Sequence, residues 1–168
     1  AQHVLYWEKT SAFCPSCGGS TEPVADTWGK RCTSCGEEGF PCIHPCVIVL
    51  VKRGKEFLLG RKAMWAPGRY GLIAGFVDFG ENLEETVKRE VREETGVEVR
   101  DIRYVGSQAW PFPSQLMMGF VAEYASGEVD VSSDELEDAA WFCPERLPQS
   151  LPPRRSIARW IIDRFAMP

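Results

Sequence analysis

The sequence predicts a layered α/β domain preceded by a small metal-stabilised module. Three observations carry that expectation. Apolar runs of strand length alternate with helical patterns, as sheet and helix layers require. One segment, Gly75 to Val97 (GFVDFGENLEETVKREVREETGV), joins a glycine-bounded loop to a helix crowded with carboxylates. Ahead of it lie two CxxC pairs, in a stretch too short for a core of its own.

The chain of 168 residues is 44% hydrophobic, enough for one solid core and a small module. A net charge of −5 argues against a broad electrostatic nucleic-acid surface but leaves room for a local basic groove. No apolar run reaches membrane-spanning length, and the start does not read as a signal peptide. The opening Ala1-Gln2-His3, without Met, reads as a trimmed fragment. Seven cysteines is an odd number, and four of them form the CxxC pairs. That usage argues for a reducing compartment, hence a cytoplasmic location, and for metal binding rather than disulfides.

Residues 1–13 read as a linker or the tail of a helix whose Val4, Leu5 and Trp7 want a partner. In residues 14–41, Cys14-Pro15-Ser16-Cys17-Gly18 and Cys32-Thr33-Ser34-Cys35-Gly36 are two matched knuckles. Each turn aims two thiolates at one point, and together they supply the four sulfurs of a closed structural Zn²⁺ site. A redox CxxC pair is the rival reading. Cys42 and His44 read as a free thiol and an ordinary histidine, since the four-sulfur set is already complete.

From residue 42 to 168 the second module follows. Cys46–Val51 (CVIVLV) reads as a buried strand, Lys52–Lys55 as a turn, and Glu56–Gly60 as the returning strand of a hairpin. Further strands are expected at Tyr70–Ala74, Val97–Val105, Gln115–Tyr124 and Ala139–Cys143. Ile157, Trp160, Ile161 and Phe165 mark a terminal amphipathic helix entered through prolines.

The helix inside Gly75–Val97 has Asn82 as N-cap, Glu84 and Glu85 in its first turn, and Gly96 at its C-terminal cap. Leu83, Val87 and Val91 make its apolar stripe. Glu90, Glu93 and Glu94 stand at i, i+3 and i+4, where like charges repel. A hard divalent cation would offset that repulsion; a solvated acidic helix is the bland alternative. Arg89 can hold Glu93 by an i, i+4 pair. Gly75 and Gly80 bracket a loop that turns sharply or approaches a ligand closely.

The order Gly75, Glu81, Arg89-Glu90, Val91, Glu93-Glu94, Gly96-Val97 matches the full Nudix box without substitution. This resemblance implies an α/β/α sandwich with a mixed sheet, here preceded by a small zinc ribbon, and hydrolysis of a diphosphate using Mg²⁺ or Mn²⁺. A second motif sharpens it. Ser107 to Gln115 (SQAWPFPSQ) alone is either a ring-lined pocket or a hydrophobic corner. Beside the box it resembles the SQPWPFPxS signature of the NADH pyrophosphatase subfamily, which also carries the zinc ribbon. Ala109 replaces the family's proline, and Gln115 stands where the family has serine, with Ser114 one place earlier. The resemblance also implies a further N-terminal domain ahead of the ribbon, which these 168 residues do not include.

The resemblance implies the following roles. Glu90, Glu94 and the Ala74 carbonyl bind Mg²⁺ or Mn²⁺. Glu93 is a further ligand or the base that orients water, so Glu90, Glu93 and Glu94 form the catalytic set. Glu135 is the distal metal ligand, with a solvated acidic turn as its plain alternative. The substrate residues are Phe40, Phe76, Gln108, Ala109, Trp110, Pro111, Phe112, Pro113, Ser114, Gln115 and Ala158. Cys14, Cys17, Cys32 and Cys35 hold structural Zn²⁺. The implied reaction splits NADH or NAD⁺ into AMP and nicotinamide mononucleotide, extends to NAD-capped RNA, and is carried out by a homodimer without a membrane partner. The alternatives are an ADP-ribose or other nucleoside diphosphate hydrolase, and a non-catalytic nucleotide-binding module.

Overall fold

The computed structural model describes residues 2–132 and 135–167. They divide into two compact units, one of residues 1–44 with 109–115, the other of residues 45–108 with 116–168.

The first unit opens with helix α1 (Gln2–Thr10) and continues as a three-stranded antiparallel sheet, β1 (Thr21–Pro23), β2 (Lys30–Cys32) and β3 (Glu38–Gly39). Trp7 of α1 meets its partner inside this unit, since its indole N–H donates to the Trp28 carbonyl at 2.7 Å. The buried Lys30 pairs with Glu8 at 2.8 Å. Leu5 remains 68% exposed, so only part of the helix's apolar surface is covered.

The second unit is an α/β/α sandwich on a mixed six-stranded sheet. Its strands are β4 (His44–Arg53), β5 (Glu56–Arg61), β6 (Ile73–Phe76), β7 (Glu98–Trp110), β8 (Gln115–Ser126) and β9 (Asp138–Phe142). The order is β7-β8-β4-β5-β9, with β6 paired to β4. Helix α2 (Leu83–Thr95) lies on one face and α3 (Ile157–Phe165) on the other. The period of two along β4 assigns the faces. Val47, Val49 and Val51 join Val87 and Val91 of α2, whereas Ile48 and Leu50 join Ile157, Ile161 and Ile162 of α3. That double burial is why CVIVLV carries no polar residue.

Two strand boundaries differ from expectation. The strand foreseen at Tyr70–Ala74 lies at Ile73–Phe76, where it pairs with Cys46–Val49; Tyr70 and Gly71 instead bond to Ser150 and Gly60. The strand foreseen to end at Val105 runs on to Trp110 and stops before Pro111, which has no N–H to donate. The SQAWPFPSQ stretch is therefore half strand and half turn. No helix among the described residues is long and apolar enough to cross a membrane.

Candidate functional site

Helix α2 begins with a complete capping box. The Asn82 side chain accepts from the Glu85 N–H, and the Glu85 carboxylate accepts from the Asn82 N–H, both at 2.9 Å. Gly96 closes the helix at φ 70°, a conformation glycine adopts without strain. Between these caps, Val87, Glu90, Val91 and Glu94 fall on one helical stripe, and that stripe faces the sheet. Docking the two valines therefore buries the two glutamates, at 8% and 2% exposure. Glu93 lies off the stripe, with 55% of its side chain exposed.

Strand β6 makes room for Glu90. A Cβ built on Gly75 would lie 1.8 Å from the Glu90 carboxyl carbon and about 2 Å from both of its oxygens. Burial raises the Glu90 pKa, opposed by the Arg89 guanidinium. Burial also pushes Glu94 up to about 7; Lys62 opposes that shift, while the Glu90 and Glu135 carboxylates add to it. Neither Glu94 oxygen has a hydrogen-bond partner among the described residues. Its nearest cation is Lys62, at 3.5 Å, and Lys62 also lies 3.7 Å from Glu135.

Arg89 organises the loop around the helix. Its Nε and Nη2 donate to the two Glu81 oxygens at 2.6 and 2.9 Å. Nη1 donates to Glu90 at 2.8 Å and Glu93 at 3.1 Å, and Nη2 to the Phe76 carbonyl at 2.9 Å. The foreseen Arg89–Glu93 pair is one spoke of this hub. The guanidinium holds the Glu81 carboxyl down at about 2.

The cysteine knuckles converge. Neighbouring sulfurs lie 3.4, 3.5 and 3.7 Å apart, and all four lie within 4.8 Å of one another. These separations exceed an S–S bond and match the edge of a tetrahedron with ~2.3 Å Zn–S bonds. Gly18 and Gly36, at φ 74° and 79°, let the backbone fold back after each pair. Backbone amides of Cys35 and Ser34 lower the Cys32 thiol, while the neighbouring Cys17 and Cys32 sulfurs push Cys35 up, as expected of four thiols crowded together. Among the described residues no carboxylate set is drawn together as tightly as these thiols.

The remaining foreseen residues are scattered in burial. Phe40 is 56% and Phe76 49% exposed. Ala74 lies in β6 opposite Ile48. Trp110 and Phe112 meet edge to face at 5.4 Å, around a turn that contains Pro111 and a cis Phe112–Pro113 bond. Ala109 is exposed, Gln115 half-buried, and Ser114 buried with its hydroxyl 2.9 Å from His44 Nδ1. Ala158 packs in the α3 core. Gln108 is a structural clamp: its Oε1 accepts from the Ile157 N–H at 2.7 Å and its Nε2 donates to the Arg155 carbonyl at 2.9 Å. Sequence reading missed Lys62, the Gln108 clamp and the His44–Ser114 contact. Each joins residues 32 or more positions apart, and no local spacing announces it.

Residues 43–165 match the NUDIX domain, and residues 9–40 match the NADH pyrophosphatase zinc ribbon domain. The NAD-capped RNA hydrolase NudC of Pseudomonas aeruginosa PAO1 is 47% identical over 98% of this chain and 59% of its own length. The protein of the same name from Pseudomonas putida F1 is 48% identical with the same coverage. The chain thus spans about three-fifths of these curated relatives. The crystal structure of a NUDIX hydrolase from Nitrosomonas europaea superimposes with a TM-score of 0.69 at 27% identity, covering 81% of this chain and 80% of that one.

Proposed function

Because the chain belongs to the NUDIX domain family, we propose that it hydrolyses the diphosphate bond of NADH and NAD⁺, releasing AMP and nicotinamide mononucleotide, and removes the same cap from NAD-capped RNA. One observation carries this reading: a buried pair of carboxylates, Glu90 and Glu94, with neither Glu94 oxygen accepting a hydrogen bond among the described residues. Buried carboxylates persist where they are paired or coordinate a metal. The names of the Pseudomonas relatives supply the substrate.

In this reading Glu90, Glu93, Glu94, Glu135 and the Ala74 carbonyl hold Mg²⁺ or Mn²⁺. When bound, such an ion neutralises the diphosphate and acidifies a water for in-line attack on phosphorus. The chain's own residues do the rest. Arg89 Nη1 donates to both Glu90 and Glu93 and so holds the two carboxylates together. Glu93, exposed at the rim, orients the attacking water and accepts its proton. Gly75 leaves the space that the Glu90 carboxylate occupies. Phe40, Phe76, Ala158 and the stretch Gln108 to Gln115 bind the substrate. Residues 14–41 form a structural zinc module and residues 42–168 the hydrolase domain, in a cytoplasmic homodimer.

The test incubates the zinc-loaded chain with NADH, NAD⁺, ADP-ribose and an NAD-capped RNA in Mg²⁺ or Mn²⁺, with Glu94→Gln as control. AMP and nicotinamide mononucleotide, absent from the control, are expected by mass spectrometry. Turnover of ADP-ribose alone would keep the chemistry and overturn the nicotinamide specificity.

A further inference from the structure

The second unit carries a basic and aromatic surface that the diphosphate chemistry does not use. A groove of about 500 Å³ lies between edge strand β7 and the entry to α3, on the sheet face opposite α2. It is lined by Ser107, Gln108, Arg154, Arg155, Ser156 and Trp160, among others. Arg154 and Arg155 are exposed, and Trp160 is 42% exposed over Gly106. The surface continues along α3, where Arg103 and Arg164 both approach the Phe165 ring, at 5.4 and 5.9 Å.

The surface is locally basic on an acidic chain. The net charge is −5, and the strongly clustered carboxylates elsewhere hold their own cations, as those around Arg89 and Arg159 do. Arg103, Arg154, Arg155 and Arg164 have no carboxylate within ion-pair distance among the described residues. The helix end adds nothing, because the Ile157 N–H is taken by Gln108 and the Arg159 N–H by Ser156. The binding groups are therefore side chains: forked guanidinium donors that suit phosphate oxygens, and a flat indole on which a base can stack.

We propose that this groove, with the Arg103–Phe165–Arg164 strip, binds the phosphodiester chain of a single-stranded RNA beyond the bond that is cleaved. The inference rests on the reading that capped RNA is a substrate. A free dinucleotide ends at its two nucleosides, whereas capped RNA continues as a row of phosphates and bases. Groove residues Ser107 and Gln108 belong to the SQAWPFPSQ stretch, so the surface begins where the substrate residues begin. Beyond Gln108, its arginines and indole serve the longer substrate and are idle for the shorter one.

The test is the charge reversal Arg154→Glu with Arg155→Glu in the full zinc-loaded chain. KM for an NAD-capped RNA of about twenty nucleotides is expected to rise roughly tenfold, with kcat and the NADH kinetics unchanged. The slope of log(kcat/KM) against log salt should become shallower by about 1.4, since two phosphate contacts at about 0.7 each are lost. An unchanged KM for capped RNA overturns the proposal, as does an equal loss on NADH. If the wild type cleaves neither substrate, the functional reading fails and the surface is judged separately. Binding of the same RNA with a 5′-hydroxyl, read by Trp160 fluorescence, must then weaken about tenfold in the double variant. Equal binding, or binding only to phosphatidylserine vesicles, overturns it.

Discussion

Glu90 fills the space that any side chain at position 75 would need. A Cβ there would overlap its carboxyl carbon at 1.8 Å, while α2 itself is held on the sheet by Val87 and Val91, so the side chain must give way rather than the helix. Gly75→Ala should therefore displace the carboxylate rather than unfold the chain. We expect a loss of two orders of magnitude or more in kcat (about 3 kcal/mol in the barrier) with weaker Mn²⁺ binding by electron paramagnetic resonance. A variant with unchanged Mn²⁺ affinity would show that Glu90 is not held against this strand.

Arg89 ties the loop to the helix through Glu81, Glu90, Glu93 and the Phe76 carbonyl. A lysine cannot reproduce that fork. Arg89→Lys should lower the urea unfolding midpoint, since one ammonium cannot reach Glu81, Glu90, Glu93 and the Phe76 carbonyl together. The same hub predicts an acid dependence. Glu81 has a folded pKa of about 2, below its ordinary 4.5. Its contribution is complete above the unfolded value and is lost as pH falls through about 2. Glu81→Gln should flatten the stability curve between those limits, measured by circular dichroism.

Lys62 stands 3.5 Å from Glu94 and 3.7 Å from Glu135, where it compensates carboxylates that a cation would otherwise bind. Lys62→Met should raise Mn²⁺ affinity several-fold by removing that competing charge. Glu94→Gln removes a buried carboxylate that accepts no hydrogen bond and is only loosely compensated by Lys62. It should stabilise the metal-free protein by about 1–3 kcal/mol at pH 8 while abolishing stabilisation by Mg²⁺. Calorimetry with and without Mg²⁺ reads both outcomes, and a destabilised Glu94→Gln would contradict the account.

The four-cysteine cluster predicts about one zinc ion per chain. Cys32→Ser should lose the ion and unravel residues 14–41, since metal binding supplies the folding energy of so small a module. Amide exchange should rise there and remain low in Val47–Val51. Uniform protection in zinc-free protein would overturn the assignment.

Gln108 satisfies both a donor and an acceptor at the entrance to α3. Gln108→Ala should cost about 1 kcal/mol of stability, the scale of a partly exposed hydrogen bond at a helix entrance. Substrate affinity should fall as well if the signature stretch positions the substrate. A loss of stability with unchanged KM would assign Gln108 to the fold alone.

The sequence by itself determined features whose geometry closes within a few residues. The caps of α2 at Asn82, Glu85 and Gly96, the Glu90–Glu94 spacing and the turn after each CxxC pair follow from one helical turn or one knuckle. Such geometry is intrinsic to the local chain. The docking of β4 between two helices was legible because CVIVLV has no polar face to give to water. Tertiary structure alone decided which carboxylates are buried, since that depends on where α2 meets the sheet. It also decided that Lys62 faces Glu94, that Gln108 clamps α3, and that β6 occupies Ile73–Phe76 instead of Tyr70–Ala74. Those are contacts across long loops and strand registers, and a register is chosen by all the packing it brings together, not by any one segment.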